Sequence, residues 1–220
     1  MGAPARTAAG ALRAPRDSGN TRARLLEAAF TEIHRAGFQA ASLERILADT
    51  GLTKGALYHH FQSKLELGYA VVEEVIAPQL RAMWLDPIHD GDDPLGAMIR
   101  MFRDAGREAT LDLIEVGCPL NNLAQEMSPL DEGFRRRLDG IAAELRDGFA
   151  EALARGKHAR TVRADVEPKA TALFIVAAME GCMSMAKNTQ SLDILKNCGQ
   201  GLIHYLESLR APARKKKAKR

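Results

Sequence analysis

The sequence predicts an all-α chain of about nine helices, and three observations carry that prediction. Beyond residue 20 the apolar residues recur three and four apart almost without interruption, the period of a helix with one buried side. Runs that alternate apolar and polar residues, the mark of a half-buried strand, are scarce. The breaks between periodic segments hold residues that end or start helices: Gly51, Ser63, Pro94, Pro119 and Pro168.

Leu25, Leu26, Ala29, Phe30 and Ile33 form the core stripe of a first helix over 21–36, closed by Gly37-Phe38. Ser42 caps a second helix, because a side-chain oxygen accepts from the free N–H groups of a first turn. Leu43, Ile46 and Leu47 are its inner face. Gly51 stands where a left-handed residue must close that helix. Thr53 caps a third helix, and Leu52, Leu57 and Phe61 continue the core across the turn. Lys54, Tyr58 and His59 are left outward, with Gly55 and Ala56 too small to obstruct a close surface.

Ser63 opens a fourth helix, with Glu66 in capping-box position. It runs past Leu67, Val71, Val75 and Ile76, kinks at Pro78 and ends near Trp84. Residues 86–94 read as a loop. Pro94 starts a helix carrying Leu95, Met98, Ile99 and Phe102. Gly117-Cys118-Pro119 breaks the chain before a short helix with Leu120, Leu123 and Met127, and Ser128-Pro129 breaks it again. From about Asp131 a long helix carries Phe134, Leu138, Ile141, Leu145, Phe149 and Leu153, and Gly156-Lys157 ends it. Residues 160–167 lead into Pro168. The helix over 168–187 is apolar on more than one face, through Leu173, Phe174, Ile175, Val176, Met179 and Met183, so it needs a second partner. Residues 191–209 make a last amphipathic helix.

The 220 residues suffice for one large domain or two small ones. Four parts are expected: a disordered basic arm over 1–20, a head over 21–68, a helical body over 69–209 and a disordered basic tail over 210–220. Three cysteines, Cys118, Cys182 and Cys198, do not make a disulfide framework and fit a reducing cytoplasm. No run of about 18 apolar residues is present, so no membrane partner is expected. The net charge of +3 hides an asymmetry. Residues 1–70 hold 9 Lys/Arg against 6 Asp/Glu, residues 71–210 hold 16 against 22, and residues 211–220 hold 6 and no acid. Basic ends and an acidic middle suit a chain that meets phosphate at one end.

The outward face of the third helix, basic and aromatic with small residues between, is what a helix entering the DNA major groove requires. The words Gly51-Leu52-Thr53-Lys54-Gly55-Ala56-Leu57-Tyr58-His59-His60-Phe61 and Ser63-Lys64 resemble the DNA-binding signature of the TetR family of transcriptional regulators. The likeness is close over about residues 21–70, including Gly37-Phe38. It implies an N-terminal three-helix DNA-binding domain with a helix-turn-helix, and a C-terminal helical domain for ligand binding and dimerisation. It further implies a homodimer on a palindromic double-stranded operator, a repressor released by a small-molecule effector.

On the DNA side the candidates are Arg22, Ser42, Thr53, Lys54, Gly55, Ala56, Tyr58, His59 and Lys64. Thr53 and Lys54 lie nearest base edges, while Lys64 combines charge with the free N–H groups of a helix start. The third helix has no Arg, Asn or Gln, so it is built more for holding backbone than for reading bases. On the ligand side the candidates are Trp84, Met101, Phe102, Cys118, Asn121, Asn122, Phe149, Phe174 and Met179. Methionines adapt to varied apolar shapes.

Gly117-Cys118-Pro119-Leu120-Asn121-Asn122-Leu123-Ala124 also resembles a word in a subset of the family, where a cysteine senses oxidants or electrophiles. The alternative switch is therefore a thiolate at Cys118, its pKa lowered by the helix start behind it. No nucleophile motif, metal spacing or glycine-rich phosphate loop appears, so neither an enzyme nor a cofactor is expected.

Overall fold

The structure is a computed structural model that describes residues 18–212. Most of the expected basic arm and tail lies outside the described residues. Within them, helices stand at all the expected places, and both ends of the order reach slightly further than the pattern indicated. The first, α1 (Ser18–Ala36), begins inside the stretch assigned to the arm. Arg210, the first residue of the expected tail, is folded onto the body through Glu207 and Asp93.

The head is α1, α2 (Leu43–Thr50) and α3 (Lys54–His60). Its caps are those the sequence announces. Ser42 Oγ accepts from Arg45 N–H at 3.4 Å and Thr53 Oγ1 from Ala56 N–H at 3.2 Å. Gly51 closes α2 at φ +65°, a conformation that costs a side-chain-bearing residue free energy. Leu25, Ile46, Leu57 and Phe61 meet in a core that solvent does not reach. Glu32 is buried on α1, where it accepts from Ser42 N–H and pairs with Arg45 and Arg35.

From the head runs one rod: α4 (Lys64–Val71), a π turn over Val72–Ile76, and α5 (Ala77–Trp84). A proline lacks the N–H that an α-helix uses and crowds the turn before it. The widened π turn directly before Pro78 takes up that misfit, and the rod goes on. At its start Glu66 accepts from Gln62 N–H, one residue outside the expected box.

The body contains α6 (Pro94–Glu108), α7 (Leu111–Val116), α8 (Pro119–Met127), α9 (Glu132–His158), α10 (Pro168–Thr189) and α11 (Leu192–Ser208). Three local details differ from the sequence reading. The loop over 86–94 holds a short 3-10 turn, Asp86–Ile88, that buries Ile88. The helix α7 was not marked by periodicity, being under two turns long. Gly156 does not end α9; it lies inside it, against Val162 and Pro94.

α10 packs between α9 and α11, and α11 packs on α6. By length and composition α10 is apolar enough to cross a membrane, with a mean hydropathy of 1.3 over its apolar window, although it holds no unbroken run of about 18 apolar residues. Glu180 and the short polar residues keep any single apolar run short, while the average over 18 residues stays high. One side of it, Ala172 and Ile175, is in the core of the body. The other leaves Leu173, Phe174 and Met185 more than half exposed.

An aromatic seam joins head and rod to body. Phe134 of α9 meets Phe38 at 4.7 Å and Tyr69 at 5.1 Å, both edge to face. Gly68 leaves room for it, since a Cβ there would stand 2.5 Å from the Phe38 ring. Tyr69 donates to Asp131 at 2.6 Å, and the same oxygen caps α9.

Candidate nucleic-acid interface and effector cleft

The outer surface of α3 carries Thr53, Lys54, Gly55, Tyr58 and His59, all exposed, with Ala56 half-buried. Tyr58 is 52% exposed although it is aromatic, and no packing in the chain accounts for that. Ser42, Leu43, Leu47, Lys54 and Tyr58 line a shallow notch of about 280 Å³ between α2 and α3. Glu44 lines it too, with a carboxylate 3.6 Å from Lys54 Nζ. The sequence reading missed Glu44, because α2 and α3 meet there only through the turn at Gly51.

Two expected phosphate ligands are held elsewhere in the free chain. Arg22 forms a two-pronged pair with Glu74 of the rod, and its guanidinium lies 5.0 Å over the Phe61 ring. Lys64 donates to the Gln39 carbonyl at 3.0 Å and sits over the Phe38 ring. Burial lowers the Lys64 pKa, against the pull of Glu126 and Glu32. Both cations are half-buried and engaged within the chain, whereas the outer side of α3 is exposed.

The expected ligand residues separate into three places. Met101, Phe102 and Phe149 are buried, with Trp84 against Phe102 at 5.7 Å and Phe102 stacked on Phe149 at 6.4 Å. They fill the body as core. Met179 is half-buried and packs on the same core. Phe174 is 52% exposed on the outer side of α10, edge to face with Tyr205. Cys118, Asn121 and Asn122 are at the start of α8, and the two asparagines line a cleft of about 930 Å³.

This cleft lies where the end of α1 meets α8 and the end of α10. Phe30, Ile33 and Leu123 supply apolar wall; Asn121, Asn122, Ser184 and Lys187 supply polar groups. Asn121 donates to Ser184 Oγ at 2.8 Å, and Lys187 donates to Asn122 Oδ1 at 3.1 Å. Contacts from α8 and the turn before it reach into the head on both sides. Glu126 accepts the backbone N–H groups of Phe38 and Gln39, each at 2.8 Å. His34 Nε2 donates to the Gly117 carbonyl at 2.8 Å. Burial and then the nearby Lys187 charge lower the His34 pKa, while the Gly117 bond opposes them. His34, Glu126 and Lys187 were absent from the sequence candidates, because nothing local links residues about 60 to 90 positions apart.

Cys118 corrects an expectation. Its thiol was expected below the ordinary range, and burial followed by the Glu180 carboxylate pushes it up to about 12. The sulfur donates to Glu180 Oε1 at 3.3 Å. The helix start favours thiolate as expected, but it loses to desolvation and to a like charge. Cys182 is likewise pushed up to about 12, by burial and by the Cys198 thiol beside it.

Residues 25–71 match the family described as bacterial regulatory proteins, tetR family, and residues 93–201 match the tetracyclin repressor-like C-terminal domain. An HTH-type transcriptional regulator of Lactococcus lactis subsp. lactis is 29% identical over 178 residues, covering 81% of this chain and 89% of the relative. The HTH-type transcriptional repressor DhaR of Mycobacterium sp. (strain GP1) is 28% identical, covering 71% and 79%. The crystal structure of a TetR transcriptional regulator from Chloroflexus aurantiacus J-10-fl superposes with a TM-score of 0.78 at 26% identity, covering 90% of this chain and all of that one. Head and body each match their own part of one family, in the family's order, and the fold agrees: this chain belongs to the TetR family of DNA-binding transcriptional regulators.

Proposed function

We propose that the chain is a homodimeric repressor that leaves a palindromic operator when a small molecule enters the cleft between α1, α8 and α10. The observation that carries this reading is the double engagement of α8. One helix presents Asn121 and Asn122 to the cleft and holds the head through Glu126. A ligand that binds better when α8 is displaced favours that displacement by its differential affinity, and the head moves with α8. Two heads must meet major grooves about 34 Å apart, or a multiple of that, so a small tilt breaks the match. Cys118 does not line the cleft and takes no part in this reading.

On the DNA, Thr53 and Lys54 face base edges at the start of α3, and Tyr58 and His59 donate to phosphates. Ser42 adds a phosphate contact beside them. The exposed apolar side of α10 receives the same side of a second copy. The test is a shift assay with operator selected from random duplex DNA. Lys54→Ala with Tyr58→Ala should weaken binding by about 100-fold, two contacts at about 1–2 kcal/mol each. Unchanged affinity would place the binding face elsewhere.

A further inference from the structure

The junction cleft, which Glu126 also lines, holds a cation that stands in no ion pair among the described residues. Among the described residues no carboxylate lies within ion-pair distance of Lys187, whose ammonium donates only to Asn122. The acids of the neighbourhood are engaged. Both Glu126 oxygens accept backbone N–H groups, and Glu32 takes Arg35 and Arg45. Glu180 lies beneath Cys118, where burial raises its pKa. Gly117 lets the lysine stem pass close by: a Cβ there would stand 2.8 Å from Lys187 Cδ. The ammonium is thus brought beside the Asn121–Ser184 pair, across from the apolar wall of α1. A partly buried cation with amide and hydroxyl groups on one side and hydrocarbon on the other matches an amphipathic anion.

We propose that this cleft takes a small organic carboxylate, with Lys187 as its counter-ion and Phe30, Ile33 and Leu123 against its hydrocarbon part. The assignment rests on the effector reading above and gives that effector a chemical class. A carboxylate here contacts α8 and α10 through its charged end and α1 and α8 through its apolar end. It therefore bridges head and body.

The test uses the full 220-residue chain. Straight-chain monocarboxylates from acetate to decanoate, with benzoate and phenylacetate, are titrated beside their primary amides by saturation-transfer NMR and calorimetry. At least one carboxylate should bind about tenfold tighter than its amide, the worth of one charge-assisted hydrogen bond. Lys187→Gln should abolish that preference, and Lys187→Arg should retain most of it. The proposal is overturned if no carboxylate binds, if amides bind equally, or if Lys187→Gln keeps the preference. The same ligands are then added to the operator complex. Lys187-dependent binding that leaves DNA affinity unchanged would keep the anion site and sink the effector reading. DNA release by a compound that ignores Lys187 would do the reverse.

Discussion

Glu32 contributes to how the head responds to acid, beside Glu74, which Arg22 also holds low. Burial alone would raise its pKa, but hydrogen bonds from Arg45, Ser42 N–H and Arg35 outweigh that and hold it at about 2. A carboxylate in the unfolded chain titrates near about 4.3, so Glu32 stabilises the head fully above that pH. The contribution is lost as the pH falls from there through about 2. Thermal melts should show the transition temperature dropping across this window, and Glu32→Gln should flatten that part of the drop. At pH 7 the same substitution should cost about 2 kcal/mol, since it weakens bonds to two exposed arginines and one backbone N–H. A wild-type acid profile identical to that of Glu32→Gln would remove Glu32 from this role. The sequence gives no hint of it. A lone Glu between Thr31 and Ile33 reads as a solvated position, and only the fold closes Arg45 over it.

At the scale of elements, α8 is the connection between cleft and head, and its weight rests on Glu126. Glu126→Gln keeps the shape but replaces one acceptor oxygen by a donor, so one of the Phe38 and Gln39 N–H groups loses its partner. The expected cost is about 1–2 kcal/mol of stability. Free of effector, the variant should still bind operator. The ratio of DNA affinities with and without effector should shrink toward one in anisotropy titrations. An unchanged ratio would mean that coupling runs through another element. The helices themselves were legible because capping and periodicity are local: Ser42, Thr53, Ser63 and Pro168 announce their elements within a few residues. The cleft was half legible. Asn121 and Asn122 stand out in the sequence as polar groups after a chain break, whereas nothing local marks Lys187, a basic residue in the last turn of α10. The aromatic candidates lie away from this cleft. Trp84, Phe102 and Phe149 have the composition of a pocket but pack on one another as core.

For the whole molecule the open question is assembly. Leu173 and Phe174 expose more than half their surface on a helix whose other side is fully buried. Water contact on that scale is reduced when the face meets a copy of itself. Leu173→Asp with Phe174→Asp should leave the chain folded by circular dichroism and monomeric by sedimentation. Operator affinity should fall by about 100-fold or more, because the second half-site no longer binds as an intramolecular event. A double variant that remains dimeric would move the interface off α10.

The clamp of Glu126 on the Gly37–Gln39 loop also bears on how such regulators can be recombined. A cut after residue 68 looks natural in the sequence, yet it runs through a physical unit. The loop of the head is fastened by a carboxylate from residue 126, and its Phe38 ring rests on Phe134. Grafting this head onto a foreign body would leave two backbone N–H groups and an aromatic ring without their partners. A chimera that carries the acid of position 126 and the ring of position 134 with the head should inherit both DNA preference and response, and one that omits them should inherit only the first.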